Sequence, residues 1–127
     1  AVADFAPERR SPVKMKKGET DPVLKLKRTP DILASLRKAK KPGQIVVGFA
    51  LESEKGEENA VRKITGKGCD YLVLNMVGEG TGFEAGTNSV TLFKGVKKLA
   101  ATSVITKKEA AAAVIDMLLG DRRLKKA

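Results

Sequence analysis

Ile45-Val46-Val47-Gly48-Phe49-Ala50 and Tyr71-Leu72-Val73-Leu74-Asn75 are two short apolar runs, and the stretch between them, Glu57 to Lys67, is helix-forming. Continuous apolar runs of this length predict strands buried on both faces of a parallel sheet. Gly68 supplies the stop that a helix ending at Lys67 needs. Strand, helix and strand over residues 45–75 make one βαβ unit, whose right-handed crossover sets both strands parallel.

Beyond this unit, a glycine-rich loop from Gly78 to Gly86 is followed by Val90-Thr91-Leu92-Phe93 and Lys98-Leu99, two short strands joined by a turn at Lys94–Lys97. Thr106-Lys107-Lys108-Glu109 has capping-box spacing and predicts a helix through Leu119, with Ala110–Ala113, Val114, Ile115, Leu118 and Leu119 on its buried face. Gly120 is expected to end it and to leave residues 120–127 as a charged, disordered tail. On the N-terminal side, Thr29-Pro30-Asp31 combines a capping residue, a proline at the first helical position and an aspartate at the positive end of the dipole. A short helix carrying Ile32, Leu33 and Leu36 on one face should follow, ended by residues 38–43. Val23-Leu24-Lys25-Leu26-Lys27 alternates leucine and lysine, the pattern of a strand with one wet face. Ala1–Phe5 reads as the end of another strand, and residues 6–20, with two prolines and a glycine, as an extended cationic loop. The expected fold is α/β, a Rossmann-like open, mostly parallel sheet with flanking helices and a small β-hairpin.

At 127 residues the chain fits one domain. No run approaches the roughly 18 apolar residues of a membrane span, which predicts a cytoplasmic protein. The single cysteine, Cys69, cannot form an internal disulfide and reads as a packed small hydrophobe. Histidine is absent, which removes Ser/His and Cys/His nucleophile pairs and His-ligated zinc. Lysine, arginine, carboxylates and backbone N–H groups remain, the toolkit of phosphate handling. The net charge of +10 favours a polyanionic partner. It is carried at the two ends: 12 basic and 5 acidic residues in 1–44, and 9 and 3 in 91–127, against 4 and 7 in 45–90.

Ligands in open α/β sheets sit outside the carboxyl ends of the parallel strands. That directs attention to Asp4-Phe5, Phe49 to Glu54, and Asn75 to Gly80. Asp4 could bind a base or a ribose hydroxyl, hold a metal, or cap a turn. Lys63 and Lys67, spaced i and i+4, leave the same helix face and could together hold a triphosphate, or be a solvated pair. Lys14, Lys16 and Lys17 lie in a segment able to close over a ligand, or form a solvated basic loop. The stretch Gly78-Glu79-Gly80-Thr81-Gly82-Phe83 lacks the terminal Gly-Lys-Ser/Thr of a phosphate loop and reads as a turn.

Ala-Val-Ala-Asp-Phe (1–5), Lys-Met-Lys-Lys (14–17), Thr-Pro-Asp-Ile-Leu (29–33), Val-Val-Gly-Phe-Ala-x-Glu (46–52), Leu-Asn (74–75), Gly-Phe (82–83) and Asn-x-Val-Thr-Leu (88–92) occur in an order that resembles phosphopantothenate–cysteine ligase. In bacteria this is the C-terminal part of a bifunctional coenzyme A biosynthesis protein. The resemblance runs from Ala1 to about Leu119. It implies ligation of cysteine to 4′-phosphopantothenate through an acyl-cytidylate formed from CTP, with Mg²⁺, as a homodimer, and with a flavin-dependent decarboxylase fused or associated. It also implies that Asp4 and the backbone of Pro30-Asp31-Ile32-Leu33 contact the nucleotide, that Phe49 lies against it, and that Lys63 and Lys67 bind its phosphates. Lys14 would be the loop lysine that reaches the reacting centre. No metal ligand is implied.

Two positions depart from the family pattern: Arg28-Thr29 stands where Lys-Asn is usual, and Asn75-Met76 where Asn-Asp is usual. The family's first strand, glycine-rich turn and acyl-binding asparagine have no counterpart in these residues, so the chain is expected to supply the nucleotide side and not to ligate alone. The competing readings are a small basic nucleic-acid-binding domain and a non-catalytic dimerisation module of the same fold. Against the former stand the five aromatics, most of them in or beside predicted strands, and the lack of any known nucleic-acid motif.

Overall fold

Residues 3–16, 21–78 and 86–124 are described by the computed structural model. In chain order the elements are β1 (Phe5–Pro7), β2 (Leu26–Arg28), α1 (Ile32–Ala39), β3 (Val47–Glu52), α2 (Gly56–Lys67), β4 (Tyr71–Met76), β5 (Thr87–Asn88), β6 (Val90–Lys94), β7 (Lys97–Ala101), β8 (Ile105–Thr106) and α3 (Lys107–Leu124). They fall into two units, Ala1–Ile32 and Leu33–Ala127.

In the first unit β1 and β2 pair antiparallel, with Phe5 opposite Arg28 and Pro7 opposite Leu26. The Arg28 guanidinium lies 5.6 Å from the Phe5 ring centroid. The strand expected at Val23–Lys27 is thus shifted and shortened, and its leucines are not buried: Leu24 is 66% and Leu26 55% exposed. Alternation marks the two faces of a strand, but a two-stranded ribbon has no second layer to cover either of them. Ala1, Val2 and Lys17 lie outside the described residues.

The second unit holds the βαβ core. Its sheet has the order β3-β4-β6-β7. β3 and β4 are parallel in register from Val47↔Tyr71 to Glu52↔Met76. The predicted hairpin is present, with β6 and β7 antiparallel around Gly95, whose φ is 57°. β4 and β6 are antiparallel as well, so the α/β fold carries a mixed sheet rather than a mostly parallel one. The tight turn at Gly95 can only return β7 antiparallel; parallel neighbours need a crossover, which α2 supplies between β3 and β4.

One face of the sheet, through Ala50, Leu72, Leu74 and Phe93, packs under α2 by way of Ala60 and Ile64. The other, through Tyr71, Val73, Val90 and Leu92, packs under α3 by way of Ala110 and Val114. Gly68 ends α2 at φ 67°, its N–H bonded to the Ile64 carbonyl at 2.9 Å. The other end of α2 starts against β4: a Cβ on Gly56 would stand 2.1 Å from Met76 Sδ, so any larger residue there would force the Met76 side chain to move. The turn into α2 is made by Lys55 at φ 49°, the one non-glycine residue with positive φ among the described residues. Cys69 is buried, as expected of a packed hydrophobe, and burial pushes its thiol pKa up.

Three expectations are corrected. β3 is an edge strand and only one of its faces is covered: Gly48 and Ala50 are buried, whereas Phe49 is 72% exposed. The capping box is present, with the Glu109 carboxylate accepting from Thr106 N–H at 2.9 Å and Glu109 N–H donating to Thr106 Oγ1 at 3.3 Å. Gly120 does not end the helix it opens, which continues to Leu124. Glycine weakens a helix without terminating it, and here the next residue, Asp121, is anchored to the sheet through Tyr71 and Lys94. Finally, Ile115 and Leu119 are exposed rather than on the buried face of α3. Residues 125–127 lie outside the described residues.

Candidate functional site

The residues expected to meet a nucleotide divide between the two units. In the first, Thr29 N–H donates to the Asp4 carbonyl at 3.0 Å and the Thr29 hydroxyl to the Ala3 carbonyl at 2.5 Å. These bonds extend the β1–β2 ladder by one rung and bring Asp4 beside the Pro30-Asp31 segment, although the two are far apart in sequence. Asp4, Pro30, Asp31 and Ile32 are all exposed. The hydroxyl that was expected to cap α1 is thus spent on Ala3. Lys14 is exposed in an irregular segment between the two strands.

In the second unit, Leu33 is half-buried and packs on the α2-side core. Its Cδ2 would stand 2.8 Å from a Cβ on Gly48. Phe49 points to the opposite side of the sheet, where it borders a cavity of about 330 Å³ with Val73, Asn75, Val90, Lys107 and Val114. The buried Asn75 Oδ1 has no hydrogen-bond partner among the described residues. Met76, in place of the family's usual aspartate, packs against the α2-side core, next to Gly56.

Lys63 and Lys67 lie on one face of α2, both half-buried. Lys63 Nζ donates to Glu52 Oε1 at 2.6 Å. Glu52 Oε2 accepts from Asn59 Nδ2 at 2.7 Å. Asn59 Oδ1 in turn accepts from Arg62 at 2.5 Å. The bond from Lys63 is the chief reason that the Glu52 carboxyl titrates below its usual range, against the opposing effect of burial. Because side chains alternate along β3, Glu52 and Lys63 belong to the α2 side and Phe49 to the α3 side. The expected phosphate contact of Lys63 and the expected nucleotide contact of Phe49 therefore lie on opposite faces of one strand.

Glu52 and Asn59 carry no site role in the sequence reading. The available signal was a carboxylate placed at the carboxyl end of a buried strand, followed by a helix that brings a lysine back over it. Phe83 and most of the glycine-rich loop, residues 79–85, lie outside the described residues.

The signature of the DNA/pantothenate metabolism flavoprotein C-terminal domain matches residues 1–120. The chain belongs to this family. Its relatives include the Coenzyme A biosynthesis bifunctional protein CoaBC of Bacillus subtilis (strain 168), 48% identical over 94 residues, a match covering 73% of this chain and 23% of that protein. A Cysteine/Cysteine sulfinic acid decarboxylase from an unknown prokaryotic organism is 40% identical over 120 residues, 94% of this chain and 33% of that protein. A crystal structure of the C-terminal domain of CoaBC superposes with a TM-score of 0.64 at 30% identity, covering 94% of this chain and 52% of that one. The DNA/pantothenate metabolism flavoprotein from Streptococcus pneumoniae, 21% identical with a TM-score of 0.58, shares the fold. This member of the flavoprotein C-terminal domain family thus spans 23% and 33% of those two curated relatives and about half of the solved CoaBC domain. The resemblance to the ligase part of the bifunctional coenzyme A protein is borne out at the level of the family. Among the described residues, no helix is long and apolar enough to cross a membrane.

Proposed function

We propose that this chain is the nucleotide-binding side of a phosphopantothenate–cysteine ligase in coenzyme A biosynthesis, acting in the cytoplasm as a homodimer, with a flavin-dependent decarboxylase fused or associated. The observation that carries the reading is Lys63, held at the carboxyl end of β3 by Glu52 with its side chain 43% exposed. The carboxyl end of a parallel strand is where open α/β sheets take their ligands.

In this reading Lys63 and Lys67 bind the β- and γ-phosphates of CTP, and Asp4 with the backbone of Pro30-Asp31-Ile32-Leu33 holds the nucleoside. Phe49 supplies an apolar wall. The 4′-phosphopantothenate carboxylate attacks the α-phosphorus, pyrophosphate leaves, and an acyl-cytidylate forms. The cysteine amine then attacks the acyl carbon, releasing CMP and leaving an amide. Lys14 neutralises charge that develops at the reacting centre, the role a mobile loop lysine serves best. Mg²⁺, which this reading calls for, would offset the negative charge of the triphosphate. Among the described residues no three His, Cys, Asp or Glu side chains lie together, and a magnesium ion that takes phosphates, waters and one or two carboxylates needs no such group.

Calorimetric titration with CTP and Mg²⁺, with ATP and a mixed-sequence RNA as comparators, tests the reading. Saturable binding that favours CTP is expected. RNA binding that falls steeply with salt, with no nucleotide preference, would replace it with the basic-domain alternative.

A further inference from the structure

We propose that Glu52 is the positioning residue for Lys63, fixing its ammonium at the carboxyl end of β3 so that its remaining donors face an incoming triphosphate. The inference rests on the nucleotide-binding reading above.

Glu52 is the fixed partner of the pair. Its backbone ends the parallel ladder opposite Met76, and its carbonyl accepts from Val77 N–H at 2.8 Å. Its side chain is 14% exposed against 43% for Lys63. Both carboxylate oxygens are engaged, Oε1 by Lys63 at 2.6 Å and Oε2 by Asn59 at 2.7 Å. Asn59 is itself held on two sides, by Arg62 at 2.5 Å and by the Glu54 carbonyl at 3.2 Å. Both oxygens of the carboxylate are thus tied to side chains of α2.

A lysine on a helix surface otherwise spreads over many rotamers, and a ligand that captures it must freeze them. An ammonium has three donors; one is given to Glu52, which leaves two for phosphate oxygens in a geometry set before the ligand arrives. Preorganisation of this kind raises affinity by removing an ordering cost. The carboxylate also repels a triphosphate. Position and charge therefore act in opposite directions, and substitutions can separate them.

The experiment titrates the full chain with CTP and with inorganic tripolyphosphate, comparing the parent with Glu52→Asp, Glu52→Gln, Lys63→Ala and each Glu52 substitution combined with Lys63→Ala. Folding of each is verified by its melting curve. Glu52→Asp keeps the charge but withdraws the carboxylate by one methylene; Glu52→Gln keeps an oxygen acceptor in place but removes the charge. Positioning predicts that Glu52→Asp weakens tripolyphosphate binding by roughly three- to tenfold, as for freeing one long side chain, while Glu52→Gln stays within about twofold. Once Lys63 is alanine, Glu52→Asp should have no effect, and Glu52→Gln should at most tighten binding by relieving the repulsion. An unchanged or tighter Glu52→Asp, or a loss that persists in the Lys63→Ala background, would overturn the proposal. If Lys63→Ala weakens binding and Glu52→Asp does not, only the positioning role fails. If Lys63→Ala changes nothing, or the parent binds neither probe, the nucleotide-binding reading fails and Glu52's role with it.

Discussion

Tyr71, the first residue of β4, donates its hydroxyl hydrogen to Asp121 on the last turns of α3, fifty positions further along the chain. Lys94 at the end of β6 pairs with the same carboxylate at 2.6 Å, and its ammonium lies 5.3 Å from the Tyr71 ring centroid. Three elements meet on one aspartate. Tyr71 is only 3% exposed, so its hydroxyl depends on a protein acceptor. Burial first, and then the hydrogen bond to Asp121, raise its pKa.

Asp121→Ala should therefore destabilise the fold by about 1–3 kcal/mol, the cost of leaving a buried polar group without its partner. Urea unfolding measures it. Tyr71→Phe in the same background should recover part of the loss, because it removes the stranded hydroxyl. An Asp121→Ala variant as stable as the parent would mean that the end of α3 contributes nothing.

Acid should weaken the fold through Asp70 as well as Glu52. Burial pushes the Asp70 carboxyl up, but the Lys40 ammonium at 2.6 Å and the Val46 N–H at 2.7 Å outweigh it and hold it below its ordinary 3.8. A carboxyl whose folded pKa is depressed adds stability that is fully present above its unfolded pKa and is lost as the pH falls through the folded one. Unfolding midpoints should stay level from neutral pH down to about 5 and drop below about 4. Asp70→Asn should flatten that drop, and an unchanged acid slope would refute the assignment.

Phe49→Ala separates packing from recognition. At 72% exposure the ring adds little to the core, and a surface substitution of this kind is expected to move stability by no more than about 0.5 kcal/mol. CTP affinity should fall several-fold if the ring lies against the nucleotide. Equal affinity in a stably folded variant would remove Phe49 from the site.

Lys63→Ala and Lys67→Ala should each weaken triphosphate binding by about 1–3 kcal/mol, the range for a charge-assisted contact. Their effects on CTP and on tripolyphosphate should match, since the contact is to phosphate alone. A loss seen only with CTP would place these lysines at the nucleoside instead.

The βαβ unit was legible because two apolar runs, a helix former and Gly68 all favour the same local structure. The capping box at Thr106 was legible for the same reason. Burial was not. Leucine alternation at Leu24 and Leu26 is the same whether a second layer covers the strand or not, and Phe49 sits in a run whose pattern cannot reveal that its strand is an edge. Gly120 misled because local propensity favours a stop, whereas Asp121 draws the helix onward through a contact fifty residues distant. For the site, the lysine spacing on α2 could be read directly. Its carboxylate partner could not, because only the folded crossover brings Glu52 and Lys63 together.

Lys55 turns into α2 at φ 49° without a side-chain cap, immediately before the helix that carries Lys63. A side chain in that conformation costs about 1–2 kcal/mol that glycine does not pay. The joint is thus a place where heat tolerance can be gained without touching the core, Lys63, Lys67 or the sheet. An engineer seeking a hardier protein would begin with Lys55→Gly.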